Sequence, residues 1–284
     1  MTTHKPFAFF GTPYVARNTL AYLVERGYRP SVVITSPDAP RGRGQVMAPS
    51  ETKAWAAEHG FPVLSPEKLG SEAIDAIRAY GCEYAVVVAY GKILPQALID
   101  SFPKGAINVH YSLLPKYRGA SPVEAALRNG DTVTGVALQQ MVYELDAGDI
   151  LAVKETAIDP SETARELRPR LVQLGAELLA DTLPAFEAGS VVPVPQDHEA
   201  ATRSGKIRKE EGELDLAGDP VRNWNTYRAF AESPGTYFFA QRNGARIRVK
   251  IRTARFADDA FVPERIVPEG KGEMDYADFA RSLA

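Results

Sequence analysis

Cysteine is nearly absent. Cys82 is the only one in 284 residues, which excludes an intrachain disulfide framework and a cysteine-rich metal site and fits a reducing compartment. Histidine is scarce too: of the four, His4, His59 and His198 have no partners at ligand spacing, so no metal is expected. No apolar run approaches the roughly 20 residues that a membrane helix needs, and Met1 to Pro6 has no signal-type apolar core. The expectation is a cytoplasmic protein with no membrane partner. No charge sign dominates, because the net charge is −3, and neither an internal repeat nor a low-complexity tract is visible. What is present is the ordinary balance of a globular chain, 45% hydrophobic and 24% charged, long enough for one large and one small domain.

The first half alternates strand-like and helix-like segments. Phe7–Phe10 reads as a buried strand broken by Gly11, Thr12 and Pro13 into a helix from Tyr14 to about Gly27. Ser31–Thr35 is a second strand, followed by a loop, Ser36 to Gly44, rich in Pro, Gly and Arg and without apolar periodicity. Helices over 51–59 and 71–80 flank a short strand at 62–64, and 84–89 is apolar throughout, as a strand covered on both faces is. This order predicts an α/β domain, a Rossmann-like, doubly wound, mostly parallel sheet. A helix is expected over 163–183. From Gly189 the texture turns extended and polar, and beyond it short β-rich pieces predict a small β-barrel. The expected division is a domain over 1–188, a linker over 189–204 and a shortened barrel domain over 205–284.

Gly105 to Leu151 organises the rest. In the strand Ala106–His110, Asn108 and His110 are two residues apart and so project from one face. A second strand, Thr134 to Met141, leads into Glu144–Asp149, which can return a carboxylate beside them. An amide, an imidazole and a carboxylate form the minimum set for acyl transfer to an amine: the amide and a protonated imidazole stabilise an oxyanion, and the carboxylate sets the imidazole charge. Taken alone, Asn108 and His110 also suit the end of an ordinary strand.

The run from Ile107 to Pro122, with Thr134–Met141 and Leu145–Leu151, resembles the 10-formyltetrahydrofolate-dependent formyltransferase family. The resemblance implies that Asn108 and His110 contact the formyl group and that Asp146 works with His110; in the mechanism expected here, Asp146 holds His110 cationic. It also implies that Ser112, Leu113, Leu114 and Pro115 line the folate site. The segment Val87–Pro95 resembles the family's other pterin wall, which implies folate contacts from Tyr90, Gly91, Ile93 and Leu94.

Family members differ in the amine they formylate. Phe10–Pro13, Thr35–Gly44, Pro49 with Ser50, and Pro62–Lys68 resemble the members that act on methionyl-tRNA. That resemblance implies an initiator methionyl-tRNA partner and a monomer, with Arg41 and Arg43 entering the acceptor end of the tRNA. Lys206–Gly212 resembles the same members' entry into a C-terminal domain, which implies a tRNA contact from Lys206. Residues 203–255 hold twelve Lys/Arg against six Asp/Glu. In the strand from Ala245, the cations Arg246, Arg248, Lys250 and Arg252 alternate with apolar residues, a row about 7 Å apart that suits phosphates. A solvated surface loop and a solvated strand face are the other readings of these two basic features. Formylation of an amino-sugar nucleotide, and a non-catalytic RNA- or folate-binding role, are the other readings of the whole chain.

Overall fold

The computed structural model describes residues 4–42, 44–242 and 244–283. Strand β1 (Phe7–Gly11) is buried at every position. It ends in glycine because a Cβ on Gly11 would lie 2.4 Å from the Ala16 Cβ and 3.1 Å from the Val88 carbonyl oxygen, and no side chain fits where helix α1 (Tyr14–Glu25) leaves the sheet. Strand β2 (Val32–Ile34) follows. The Arg-rich segment after it is a hairpin rather than an irregular loop: β3 (Ala39–Arg41) pairs antiparallel with β4 (Val46–Ala48). The sequence hides this because each strand is only three residues long, and Pro40, which has no amide hydrogen to give to a ladder, sits in the middle of the first. Helix α2 (Glu51–Glu58) starts where the Ser50 Oγ accepts the Lys53 amide at 3.0 Å, a side-chain cap.

Strand β5 (Val63–Leu64), helix α3 (Ser71–Arg78), strand β6 (Tyr84–Val88), helix α4 (Gln96–Ile99) and strand β7 (Ala106–His110) continue the alternation. Then come β8 (Arg118–Gly119), α5 (Pro122–Arg128), β9 (Val133–Gln140), β10 (Ile150–Ala157) and α6 (Ala164–Ala188). The central sheet has the order β10-β9-β7-β6-β1-β2-β5. Its strands β5, β2, β1, β6 and β7 run parallel and β9 antiparallel, so the sheet is mostly parallel, as expected, with flanking helices. Phe10, Val32, Ile34, Ile77, Val87 and Leu98 form a core beside it.

The contacts divide the chain into two compact units. The first contains 1–118, 135–156 and 169–203. In it the extended stretch after α6 is held by a bridge between Ile150 and Val194. The second contains 119–134, 157–168 and 204–284. Beyond β11 (Arg203–Ser204), it carries helix α7 (Pro220–Ala229), strands β12 (Tyr237–Arg242), β13 (Ala245–Ala257), β14 (Ala260–Pro268) and β15 (Met274–Asp275), and helix α8 (Tyr276–Arg281). The four strands form an antiparallel sheet in that order. Val249 and Ile251 of β13 pack with Leu214, Phe238, Ile266 and Phe279, so the alternation read in this strand does separate an apolar face. Helix α7 begins at Pro220 because the Asp219 carboxylate accepts the amides of Val221 and Arg222. No helix of the described residues is long and apolar enough to cross a membrane.

Candidate active site

Strand β7 delivers Asn108 and His110 to one face, and the antiparallel register sets Asn108 opposite Gln139 of β9. The loop after β9 returns Asp146 to the same place. It can do so because Gly148 has no side chain: a Cβ there would lie 1.7 Å from the Gln140 carbonyl oxygen. Asp146 itself has φ 52, a left-handed conformation that costs a non-glycine residue on the order of 1 kcal/mol and persists only when its surroundings hold it.

Four side chains meet there. Asp146 Oδ1 accepts from Asn108 Nδ2 at 3.2 Å and from Gln139 Nε2 at 2.8 Å. Asp146 Oδ2 lies 3.6 Å from His110 Nδ1, an electrostatic contact slightly longer than a hydrogen bond. The other ring nitrogen, Nε2, is 3.0 Å from the Tyr117 carbonyl oxygen. A carbonyl can only accept, so Nε2 carries a hydrogen and Nδ1 is the free base position of a neutral ring. His110 and Gln139 are buried, while Asn108 and Asp146 are half-buried.

Burial pushes the His110 pKa below the usual histidine value, and the Asp146 charge and the Tyr117 carbonyl pull it back only in part. Burial therefore works against the expectation of a ring already held cationic. The carboxylate is close enough to support an imidazolium, while dehydration of the ring favours the neutral form. The arrangement therefore offers a neutral base backed by a carboxylate, beside an amide donor.

Gln139 is absent from the sequence reading. The only signal is that Gln139 and Gln140 interrupt an apolar strand, and the β7–β9 register is needed to give that meaning. Gln139 Oε1 is buried and has no partner among the described residues, so it is an acceptor available to a donor entering the site.

The candidate folate residues divide by environment. Ser112 is buried, its hydroxyl donating to the Lys116 carbonyl at 2.6 Å; Leu114 is buried, and Leu113 and Pro115 are half-buried. In the other segment Tyr90 and Leu94 belong to the core beside the sheet, and burial raises the Tyr90 phenol to about 12. Gly91 is exposed, and Ile93 is 73% exposed, which leaves it as the large apolar side chain of that segment open to a ligand.

Among the candidate tRNA residues, Arg41 ends β3 and Arg43 lies outside the described residues. In the second unit Lys206, Arg246, Lys250 and Arg252 are exposed and Arg248 is half-buried. The Arg246 guanidinium lies 3.7 Å from the Phe239 ring centre and 3.3 Å from Glu213, and Arg248 lies 3.6 Å from the Tyr237 ring centre.

Comparison with known proteins adds an independent line. A family model described as formyl transferase matches residues 6–183. The methionyl-tRNA formyltransferase of Methylobacterium sp. (strain 4-46) is 39% identical over 293 aligned positions, covering 96% of this chain and 94% of the relative. That of Geobacter sulfurreducens is 44% identical over 232 positions, covering 81% and 73%. Among solved structures, an N-formyltransferase from Helicobacter canadensis, in complex with folinic acid and dTDP-3-aminofucose, matches with a TM-score of 0.67 at 18% identity, covering 89% of each chain. At that identity the likeness is one of fold.

Proposed function

The chain belongs to the methionyl-tRNA formyltransferase family, and from that membership we propose that it moves the formyl group of 10-formyltetrahydrofolate onto the α-amine of initiator methionyl-tRNA. The observation that carries the reading at the level of chemistry is the meeting of Asn108, His110 and Asp146, with Asn108 only half-buried.

The residues divide the work as follows. The neutral amine attacks the formyl carbon, and the Asn108 amide donates to the oxygen that becomes negative. His110 Nδ1 takes the proton from the attacking nitrogen, while the Tyr117 carbonyl keeps hold of Nε2–H. Asp146 stabilises the imidazolium so formed. His110 then returns the proton to N10 of the donor, the C–N10 bond breaks, and tetrahydrofolate leaves.

Ser112–Pro115 and the segment Tyr90–Leu94 are the proposed folate walls, with Ile93 the exposed apolar contact. Arg41, Arg43, Lys206, Arg246, Arg248, Lys250 and Arg252 are the proposed tRNA contacts. Residues 1–188 serve formyl transfer, 189–204 lead on from them while packing back on the same unit as far as 203, and 205–284 form a small OB-like barrel, a reading supported by the register shifts that bend β13 near Thr253. The protein acts as a cytoplasmic monomer.

The test is formyl transfer to purified methionyl-tRNA beside an amino-sugar nucleotide, across a salt series. Transfer to the tRNA that weakens steeply with salt is expected. Formylation of the sugar alone would leave the chemistry standing and overturn the acceptor.

A further inference from the structure

The polar string after Pro195 reads in sequence as a linker, yet it reaches into the candidate active site. Gln196 Nε2 donates to the backbone carbonyls of Asp146, at 2.9 Å, and Gly148, at 2.6 Å. Its orientation is forced. Arg118 is buried and offers only donors, and its Nε and Nη2 both point at Gln196 Oε1, at 3.1 and 2.8 Å, so the amide nitrogen must face the loop. Arg118 Nη2 also donates to His198 Nδ1 at 3.1 Å.

A few residues on, the same segment holds the other side of His110. Thr202 Oγ1 accepts the Tyr117 amide at 2.8 Å, the Thr202 carbonyl accepts the Arg118 amide at 2.9 Å, and the Thr202 amide donates to the Pro115 carbonyl at 3.2 Å. Tyr117 supplies the carbonyl that fixes His110 Nε2. Both partners of the imidazole therefore hang from one stretch of seven residues, Gln196 to Thr202.

We propose that Gln196 is a positioning residue for formyl transfer: it holds the backbone at Asp146 so that the carboxylate meets His110, while Thr202 holds Tyr117 on the opposite side of the ring. The proposal rests on the formyl-transfer reading for its activity readout, but not for its structural one. Among the described residues the charge acting on His110 is that of Asp146, whose carboxylate also accepts from Asn108 and Gln139, so withdrawing the loop takes away the charge that raises the ring's pKa.

The test uses full-length Gln196→Met, which keeps shape and neutrality but removes both the donor to the loop and the acceptor to Arg118, and Thr202→Val, which keeps shape but removes the acceptor. For each, kcat should fall on the order of 10²-fold while KM for donor and tRNA stays within about twofold, as expected of misplaced rather than missing catalytic groups. The His110 titration, followed by NMR of ring-labelled protein and identified by its loss in His110→Gln, should move to lower pH as its partners withdraw and burial remains. A folded variant with unchanged kcat and an unchanged His110 titration overturns the proposal, as does a rise in KM alone. If Gln196→Met does not fold, Thr202→Val decides by the same readouts. Should the wild type fail to formylate methionyl-tRNA, the proposed function falls, and the His110 titration still decides the positioning role.

Discussion

Asp146→Asn isolates what the carboxylate contributes. In the folded protein Asp146 Oδ1 accepts from Asn108 and Gln139, and Oδ2 faces His110 Nδ1 at 3.6 Å. An asparagine can keep its oxygen toward the two amides, so the loop should stay in place. Its NH2 then faces Nδ1 and donates to the lone pair that the proposed mechanism uses as a base. The loss has two parts. A unit charge pair at this distance is worth about 4 kcal/mol at an effective dielectric near 20, and the amide dipole restores only some of it. Capping Nδ1 adds to the loss, so kcat should fall by about 10²- to 10³-fold. Because Asp146 raises the His110 pKa against the effect of burial, removing its charge must lower that pKa further. Whatever activity remains should have its acid limb at lower pH than in the wild type. Single-turnover formyl transfer from pH 5 to 8, with circular dichroism as a folding control, reads both effects. A folded variant within about fivefold of wild-type rate, or an acid limb displaced upward, would refute the assignment of Asp146 as the support of an imidazolium.

Asn108→Ala should lower kcat by about 10²- to 10³-fold with little change in KM for the folate donor, since it removes a donor to the developing oxyanion; equal losses in kcat/KM through KM alone would point instead to substrate binding. Gly148→Ala places a methyl group against the Gln140 carbonyl. It should lower Tm by at least about 4 °C and reduce activity with it, and an unchanged melting curve would show that the loop has room to give. Replacing Lys250 by alanine should weaken binding to methionyl-tRNA and flatten the log–log salt dependence by about 1; a parallel slope would remove it from the phosphate contacts. His110, whose folded pKa lies below its unfolded value, contributes stability that is present above the unfolded pKa and lost as pH falls, because the unfolded chain then binds the extra proton. Thermal melts of His110→Gln should therefore lose part of the decline that the wild type shows below the ordinary histidine range, and identical profiles would contradict the burial argument.

The parallel sheet was legible because its strands are continuous apolar runs, and Asn108 and His110 because strand periodicity alone places them on one face. Asp146 came from the motif that follows β9. Gln139 escaped because its meaning depends on lying opposite Asn108, a property of pairing rather than of local sequence. Gln196 escaped for a related reason: in a polar string of an extended segment, nothing local distinguishes the residue that meets two carbonyls from its solvated neighbours. Helix α7 was missed because Pro220–Ala229 is polar, its start fixed by the Asp219 cap and its inner face set by packing in its own unit. For the charge of His110, a sequence shows the carboxylate that favours a cation but not the burial that opposes it.

The aromatic residues of β12 change what the basic strand beside them is. A free arginine on a surface samples many rotamers and must give up that freedom when it meets an anion. Arg246 and Arg248 already lie against Phe239 and Tyr237, so much of that ordering is complete before any partner arrives. Such a face behaves less like a diffuse cloud of positive charge and more like a template of set spacing, and lysine at either position would keep the charge while losing the template.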